Sequence, residues 1–267
     1  MNSKLIAELV IVFLIVQSLG LYVASSLVAQ DVHATIVSDN PDDIANTAGL
    51  LLYILSFTVI LLLVIKFFKA KTSYLVLKAF ETLAIFGSSV IVFSIFFGDA
   101  FGLALALLLV ALRIGVSKNI WIRNIASMIA VVGAGSLIGV SLGIIPIILF
   151  IVALIIYDYI AVFKTKHMVS IAKAVVDKNL AFTIALPTKE HKFELGTGDL
   201  VIPLVFASAS VQNSGMIAGI FVLAGSLAGL LLTIDYSSKH VGKALPAIPL
   251  QGIFMIAAFG VAKVLGF

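Results

Sequence analysis

The chain has 267 residues, of which 62% are hydrophobic and only 11% are charged, and its formal net charge is +4 at pH 7. This composition lies far outside the usage of soluble domains. Because the chain has no cysteine, disulfides, thiolate metal sites and cysteine nucleophiles are excluded. We therefore predict an all-α polytopic protein of the cell membrane, embedded in the lipid bilayer.

Nine apolar segments follow one another along the chain. A helix needs about 20 apolar residues to cross a bilayer, and all but the fourth and seventh segments are about that long. The segments cover residues 5–29, 49–68, 74–97, 101–114, 120–140, 143–163, 199–212, 215–234 and 245–265. We predict nine transmembrane helices in a single membrane-embedded domain over residues 1–267, with spans one to six in 1–163, a cytoplasmic loop in 164–198 and spans seven to nine in 199–267.

The basic residues predict the orientation of these spans. With nine crossings, only Lys263 of the 17 basic residues lies on the side opposite the others. The loop after the first span carries aspartates and no basic residue, which places it on the opposite face. By the positive-inside rule the amino terminus is cytoplasmic and the carboxyl terminus is outside. Topology thus explains the positive charge, and nucleic acid is not predicted as a partner.

The loop between spans six and seven has two parts. Apolar residues at helical spacing predict an interfacial helix over residues 164–179. Residues 180–186 and 191–195, on either side of Pro187, are rich in β-formers and predict a short β-hairpin. The alternative is a flexible cytoplasmic linker.

Two aspartates lie inside apolar spans. Asp158 is near the end of the sixth span and Asp199 is at the start of the seventh. Since these spans run in opposite directions, both carboxyls are predicted at one depth, about 8–9 Å inside the cytoplasmic boundary. Ionisable residues at such depth mark functional sites. Two close carboxylates share a proton, so one can activate water while the other polarises a peptide carbonyl. This aspartyl protease chemistry needs neither metal nor cofactor.

Further residues are predicted to support the aspartates. Gly196 and Gly198 would permit positive φ and close approach of a substrate backbone where the loop becomes a helix. The run 246–248 opens the ninth span at the same depth, and its proline leaves backbone groups uncommitted to a helix. Tyr157 either shapes the pocket beside Asp158 or simply packs there.

The motifs of these three spans resemble those of the presenilin family of intramembrane aspartyl proteases, and the resemblance covers essentially the whole chain. It implies that Asp158 and Asp199 are the catalytic pair. It also implies that the Pro-Ala-Leu motif of the family is present here with isoleucine in place of leucine. The matching residues are Tyr157, Asp158, Gly196, Gly198, Asp199, Pro246, Ala247 and Ile248.

The resemblance further implies what the protein does. It predicts an endopeptidase that hydrolyses peptide bonds within transmembrane helices of other proteins, using the two aspartates and water and no cofactor. A cytoplasmic amino terminus resembles presenilins rather than the related signal peptide peptidases, and the compact chain resembles an archaeal homologue. An unwound substrate is predicted to add a β-strand beside Phe193, Glu194 and Leu195.

Other readings of the sequence remain open. Intramembrane aspartates also occur in proton- or cation-coupled secondary transporters and channels, although no convincing inverted repeat is present. Prepilin peptidases share the Gly-x-Gly-Asp pattern but differ in span count and in the carboxyl-terminal proline motif. Glycines spaced about four apart in residues 133–139 and 215–229 predict close helix packing, with a homo-oligomer as the alternative.

Overall fold

The computed structural model describes residues 3–164, 179–187, 192–239 and 247–267. These residues form nine α-helices and one small sheet, which agrees with the predicted number of helical segments. The helices are α1 Ser3–Ala29, α2 Ile44–Phe67, α3 Ala70–Phe97, α4 Asp99–Gly115, α5 Ile120–Val140, α6 Ile144–Tyr159, α7 Gly198–Ser214, α8 Met216–Lys239 and α9 Ile248–Val264. The strands are β1 Thr183–Pro187 and β2 Lys192–Gly196.

Six of the helices are long and apolar enough to cross a membrane: α1, α2, α3, α5, α6 with its continuation, and α8. The other three, α4, α7 and α9, have 17 residues each. At 1.5 Å per residue such a helix is about 26 Å long, slightly less than the hydrocarbon thickness of a bilayer. The orientation of the helices stays a prediction.

The sixth helix changes character directly after Asp158. The predicted span reaches residue 163, but the α-helix ends at Tyr159 and a π-helical turn continues over Ile160–Lys164. Single π-turns in helices are rare and occur frequently at functional sites. The widened turn therefore lies next to the candidate catalytic carboxyl.

The central helix of the protein is α7, which begins with Gly198 and Asp199. It is buried on all sides, unlike a helix with one apolar face. Leu200 and Leu204 belong to a hydrophobic cluster formed with α1, α5 and the hairpin. Val205 and Phe206 belong to a second cluster formed with α6, α8 and α9. Both cores thus hold the helix that carries Asp199.

Glycines allow the helices around α7 to approach closely. A Cβ added to Gly139 of α5 would lie 2.5 Å from the carbonyl oxygen of Val205 on α7. A Cβ at Gly229 of α8 would lie 2.7 Å from the Cα of Gln251 on α9. Real Cβ atoms do not approach other atoms so closely, so larger residues would push these helices apart. The predicted role in packing is confirmed for these two glycines, but it was wrong for Gly215, which has a φ of 92° and no atom within 4 Å of an added Cβ.

The predicted hairpin is present as an antiparallel pair with Thr183 opposite Gly196 and Leu186 opposite Phe193. Its first strand begins three residues later than predicted, because Leu180 is fully buried in a cluster with α2 and α3 instead of extending the sheet. The tip of the hairpin and most of the predicted interfacial helix, residues 165–178, lie outside the described residues.

The outer edge of β1 is covered by α5. The side-chain amide of Asn124 accepts a hydrogen bond from the Ala185 N–H at 3.0 Å and donates one to the Ala185 carbonyl at 2.8 Å. Because Ala185 bonds outward, its neighbours on β1 bond to β2. In the same register the main-chain groups of Glu194 and Gly196 on β2 face away from β1, where no described residue bonds to them.

Four charged residues, three of them buried and Glu194 partly buried, join the helices to the hairpin, and we call them the hairpin anchor: Glu81, Arg113, Arg123 and Glu194. Arg113 of α4 lies 2.8 Å from Glu81 of α3, and the same carboxylate accepts a hydrogen bond from the Ala181 N–H at 2.9 Å. Arg123 of α5 lies 2.9 Å from Glu194 of β2. The anchor thus fixes both strands against α3, α4 and α5.

Candidate active site

Asp158 is buried in the last turn of α6, with 6% of its surface exposed. The backbone N–H of Ile248, the first residue of α9, donates a hydrogen bond to its carboxylate. Among the described residues no lysine, arginine or histidine forms an ion pair with this carboxylate. A buried acid without a counter-ion costs folding free energy, which marks Asp158 as a candidate functional group.

Asp199 is the second residue of α7, directly after the hairpin. Thr197 holds this junction, since its N–H and its hydroxyl both donate to the carbonyl of Phe182, at 3.1 and 3.0 Å. The carboxyl of Asp199 lies over Gly196, where an added Cβ would be 3.5 Å from Oδ2. It also lies within electrostatic range of Asp158. The pairing of the two aspartates in one catalytic site stays a prediction.

Neither of the two glycines beside Asp199 has an unusual backbone conformation. Positive φ occurs at Gly98, Gly215 and Gly266 but at neither Gly196 nor Gly198, so that part of the prediction was wrong. The physical reason is that Thr197 already has helical angles, φ −63° and ψ −25°, and the chain enters α7 without a left-handed turn. A Cβ added to Gly198 would meet no atom within 4 Å.

The start of α9 completes the site. Ile248 contacts Asp158 through its backbone N–H, so the replacement of leucine by isoleucine does not remove this hydrogen bond. Its side chain packs against the cluster of α6 to α9, while Ala247 packs against the cluster that includes the hairpin. Pro246, the first residue of the predicted motif, lies outside the described residues.

Gln251, one turn into α9, was not predicted from the sequence. It is 1% exposed, and its Nε2 atom donates to the main-chain carbonyl of Asp199 and to the hydroxyl of Ser226, both at 3.2 Å. Two signals could have indicated it. A glutamine inside an apolar span needs a polar partner, and Pro203 four residues after Asp199 leaves that carbonyl without its helical donor.

Tyr157 joins α6 to α2, because its hydroxyl donates to Thr58 Oγ1 at 3.3 Å. Its ring lies beside the hydrophobic cluster of α6 to α9. The structure therefore shows Tyr157 in contact with α2 and the cluster, and its role in shaping the pocket beside Asp158 stays a prediction.

The side chains of the predicted substrate-binding strand point into the protein. Leu195 is buried and Phe193 packs against the same cluster. The carboxylate of Glu194 is held by Arg123 and by the hydroxyl of Thr183 at 2.7 Å. What this strand leaves accessible near Asp199 is its main chain on the outer edge.

Comparison with known proteins gives a family. The family described as "Signal-peptide peptidase, presenilin aspartyl protease" matches residues 10–266. The chain belongs to this family. It is therefore a multi-pass membrane protein and an aspartic endopeptidase of the intramembrane type. No match is found among curated protein sequences.

Solved structures show the same fold. A crystal structure of a presenilin family intramembrane aspartate protease in space group C222 has a TM-score of 0.73 and 20% sequence identity, and the match covers 98% of this chain and 99% of that one. A second structure of a presenilin family intramembrane aspartate protease, in space group P2, has a TM-score of 0.68 and 20% identity over 95% of this chain and 97% of that one. This family member thus keeps the presenilin fold at low sequence identity.

Proposed function

We propose that this protein hydrolyses peptide bonds within transmembrane segments of other membrane proteins, with Asp158 and Asp199 as its catalytic pair. The proposal is supported by two carboxyls that lie within electrostatic range of each other on packed helices, where no described cation forms an ion pair with Asp158. Family membership favours proteolysis over the transporter alternative.

The chemistry follows from two carboxyl groups that hold one proton between them. The ionised carboxylate takes a proton from a water molecule as its oxygen attacks the peptide carbonyl carbon. The protonated carboxyl donates a hydrogen bond to the carbonyl oxygen, which becomes the oxyanion of the tetrahedral intermediate. Transfer of a proton to the amide nitrogen then breaks the C–N bond and releases an amine and a carboxylic acid. These steps require no metal and no cofactor.

The substrate is proposed to bind as an added strand on the outer edge of β2. Helical peptide bonds are hydrogen-bonded and shielded, so the scissile segment must unwind, and in a membrane its freed groups need new partners. The outward-facing N–H and carbonyl groups of Glu194 and Gly196 are available to hydrogen-bond with an unwound segment. Gly196 precedes Asp199 by three residues, so a strand paired there would run beside the carboxyls.

The other edge of the hairpin is a poor alternative. Asn124 occupies both main-chain groups of Ala185, and Ser127 Oγ lies 3.3 Å from the carbonyl of Thr183. The side chains of Phe193 and Leu195 pack in the hydrophobic cluster and hold β2 in position for strand pairing. The single-domain organisation remains a prediction. The cytoplasmic amino terminus is also a prediction, and it would place the outer edge of β2 on the cytoplasmic side of the site.

The test is cleavage of a single-span peptide in detergent by the purified protein, with the fragments identified by mass. We expect the Asp158→Asn and Asp199→Asn variants to lose at least roughly 10²- to 10⁴-fold in rate, because each removes a proton-transfer group. Asp99→Asn is the matched control, since Asp99 also lies in the first turn of a helix but is exposed. Cleavage at the parental rate by either variant of the pair would refute the proposed dyad.

The same assay tests the strand. Peptides carrying one backbone N-methyl group each are compared, since N-methylation removes a single donor. If the substrate pairs with β2, inhibition should alternate with a period of two residues on the bound segment. Equal sensitivity at consecutive positions would rule out strand pairing and leave the dyad untouched.

A further inference from the structure

The carbonyl of Asp199 lacks its usual partner within α7. In an α-helix the carbonyl of each residue accepts from the N–H four residues later. Pro203 lies four residues after Asp199, inside the helix. Proline has no N–H to donate. A polar backbone group without a partner is unfavourable in a membrane protein core. The main-chain carbonyl of Asp199 therefore needs a hydrogen-bond donor from outside α7.

Gln251 meets that acceptor from another helix. Its Nε2 lies 3.2 Å from the Asp199 carbonyl oxygen and 3.2 Å from Ser226 Oγ on α8. The orientation of the amide follows from the chemistry, since a carbonyl only accepts and must face the NH2 group. Gly229 of α8 allows the close approach of α9 at this residue. The glutamine is therefore held on two sides.

One turn of α9 thereby contacts both aspartates. Ile248 donates its N–H to the carboxylate of Asp158, and Gln251, three residues later, donates its side-chain amide to the main chain of Asp199. Residues three apart lie on one face of a helix. The separation of the two carboxyls is thus set in part by a rigid helical turn.

We propose that Gln251 is a positioning residue that fixes Asp199 relative to Asp158 by binding the carbonyl that Pro203 leaves free. This inference rests on the proposed function, since it assumes that the two aspartates act together. Gln251 contacts neither carboxyl, so its loss should let the first turn of α7 shift. Such a shift lowers kcat and leaves KM nearly unchanged, because substrate binding on β2 does not involve the amide.

The chain contains a matched control for this glutamine. Gln17 of α1 is also 1% exposed, and its Nε2 donates to the carbonyl of Leu200 at 2.9 Å. That carbonyl differs in one respect, because Leu204 four residues later has an N–H to offer it. Removal of the Gln17 amide therefore leaves no orphaned carbonyl at the start of α7.

The experiment compares kcat and KM for peptide cleavage by the parent, Gln251→Leu, Gln17→Leu and the double variant Gln251→Leu/Pro203→Ala. We expect Gln251→Leu to lower kcat by roughly 10- to 100-fold and Gln17→Leu to keep kcat near the parental value. In the double variant the N–H of the new alanine can bond to Asp199, so kcat should recover. A glutamine that only fills space would not be rescued by a change at Pro203.

A second readout does not depend on activity. The carbonyl ¹³C resonance of Asp199 in detergent should shift on loss of its hydrogen bond in Gln251→Leu and return in the double variant. Gln251→Met, which has a similar length and no hydrogen-bond donor, replaces Gln251→Leu if the latter does not fold. An unchanged resonance and kcat in the single variant, or a lack of recovery in the folded double variant, would overturn the inference. If the resonance shifts in Gln251→Leu and returns in the double variant while the parent cleaves no peptide, the proposed function is refuted instead.

Discussion

Two regions of this protein bury carboxylates, and they treat them in opposite ways. In the hairpin anchor Glu81 lies 2.8 Å from Arg113 and 2.5 Å from Lys78. In the aspartate pair Asp158 is almost equally buried but has a backbone N–H and, within the described residues, no basic partner. The difference teaches which buried acids are structural. A carboxylate surrounded by cations holds helices together, whereas one left without them retains its capacity to exchange protons.

Backbone and side chains also divide the work differently in the two regions. The anchor is built from charged side chains that reach across α3, α4, α5 and the hairpin. The aspartate pair is held largely through main-chain groups, namely the N–H of Ile248 and the carbonyl of Asp199. Such contacts position the carboxyls without adding charge beside them.

The sharpest comparison is the same chemical change, acid to amide, made in each region. Glu81→Gln leaves Arg113 buried without its anion, and we expect it to lower the free energy of unfolding by about 3–5 kcal/mol. Asp158→Asn removes a buried acid that has no basic partner among the described residues, so stability should be unchanged or higher while cleavage is lost. Thermal unfolding of both variants in one detergent measures the difference. A destabilised Asp158→Asn beside a stable Glu81→Gln would invert the comparison and contradict it.

A smaller effect is expected from the second ion pair of the anchor. Arg123 and Glu194 lie 2.9 Å apart, with 3% and 15% of their side chains exposed. In a double-mutant cycle of Arg123→Met and Glu194→Gln we expect a coupling free energy of about 1–3 kcal/mol. Hydrogen exchange at the Ala185 amide provides a local measurement, since that amide reports on the hairpin. Additive effects of the two substitutions would show that the pair does not hold β2.

The smallest effect is expected at the amino-terminal cap of α2, which lies outside both regions. Asp43 caps α2, and the hydrogen bond from the Ala45 N–H, with a further one from Ser38, lowers the pKa of its carboxyl. A lowered pKa in the folded state means that the cap stabilises the protein above the ordinary pKa of aspartate and ceases to do so as the pH falls through the lowered one.

We therefore expect Asp43→Ala to lower the melting temperature slightly at neutral pH and the difference to disappear in acid. Melting curves of the parent and the variant across this pH range make the measurement, with peptide cleavage at neutral pH expected to be unchanged. A difference that persists at the acid end would mean that the effect does not come from the charge of Asp43.

Much of the fold could be predicted from the sequence because its signals are local. Nine apolar segments correspond to nine helices among the described residues, and β-formers on both sides of Pro187 correspond to the hairpin. The start of α2 was missed because its first turns are polar. Asn46 and Thr47 are nevertheless buried there, since Thr47 donates to the carbonyl of Pro146 at 2.7 Å and Asn46 accepts from the N–H groups of the preceding loop.

The site was predicted only as far as side-chain chemistry is visible in sequence. The direction of their helices predicts that Asp158 and Asp199 lie at one depth, and this stays a prediction. Sequence signals indicate that Gln251 needs a polar partner, but they do not identify that partner, because it is a main-chain carbonyl 52 residues away. The pairing of Arg123 with Glu194 joins residues 71 apart and was equally hidden. Contacts of this kind depend on the three-dimensional arrangement of helices and leave no periodic pattern.

The amide of Asn124 also sets a stoichiometry. A two-stranded hairpin normally offers two edges, so it could template a growing sheet or join the hairpin of a neighbouring molecule. By occupying both main-chain groups of Ala185, Asn124 terminates the sheet on that side. The ladder that remains has room for one extended chain, on the edge that leads through Gly196 to Asp199. With the substrate bound on that edge as proposed, one protease molecule would hold one strand at a time.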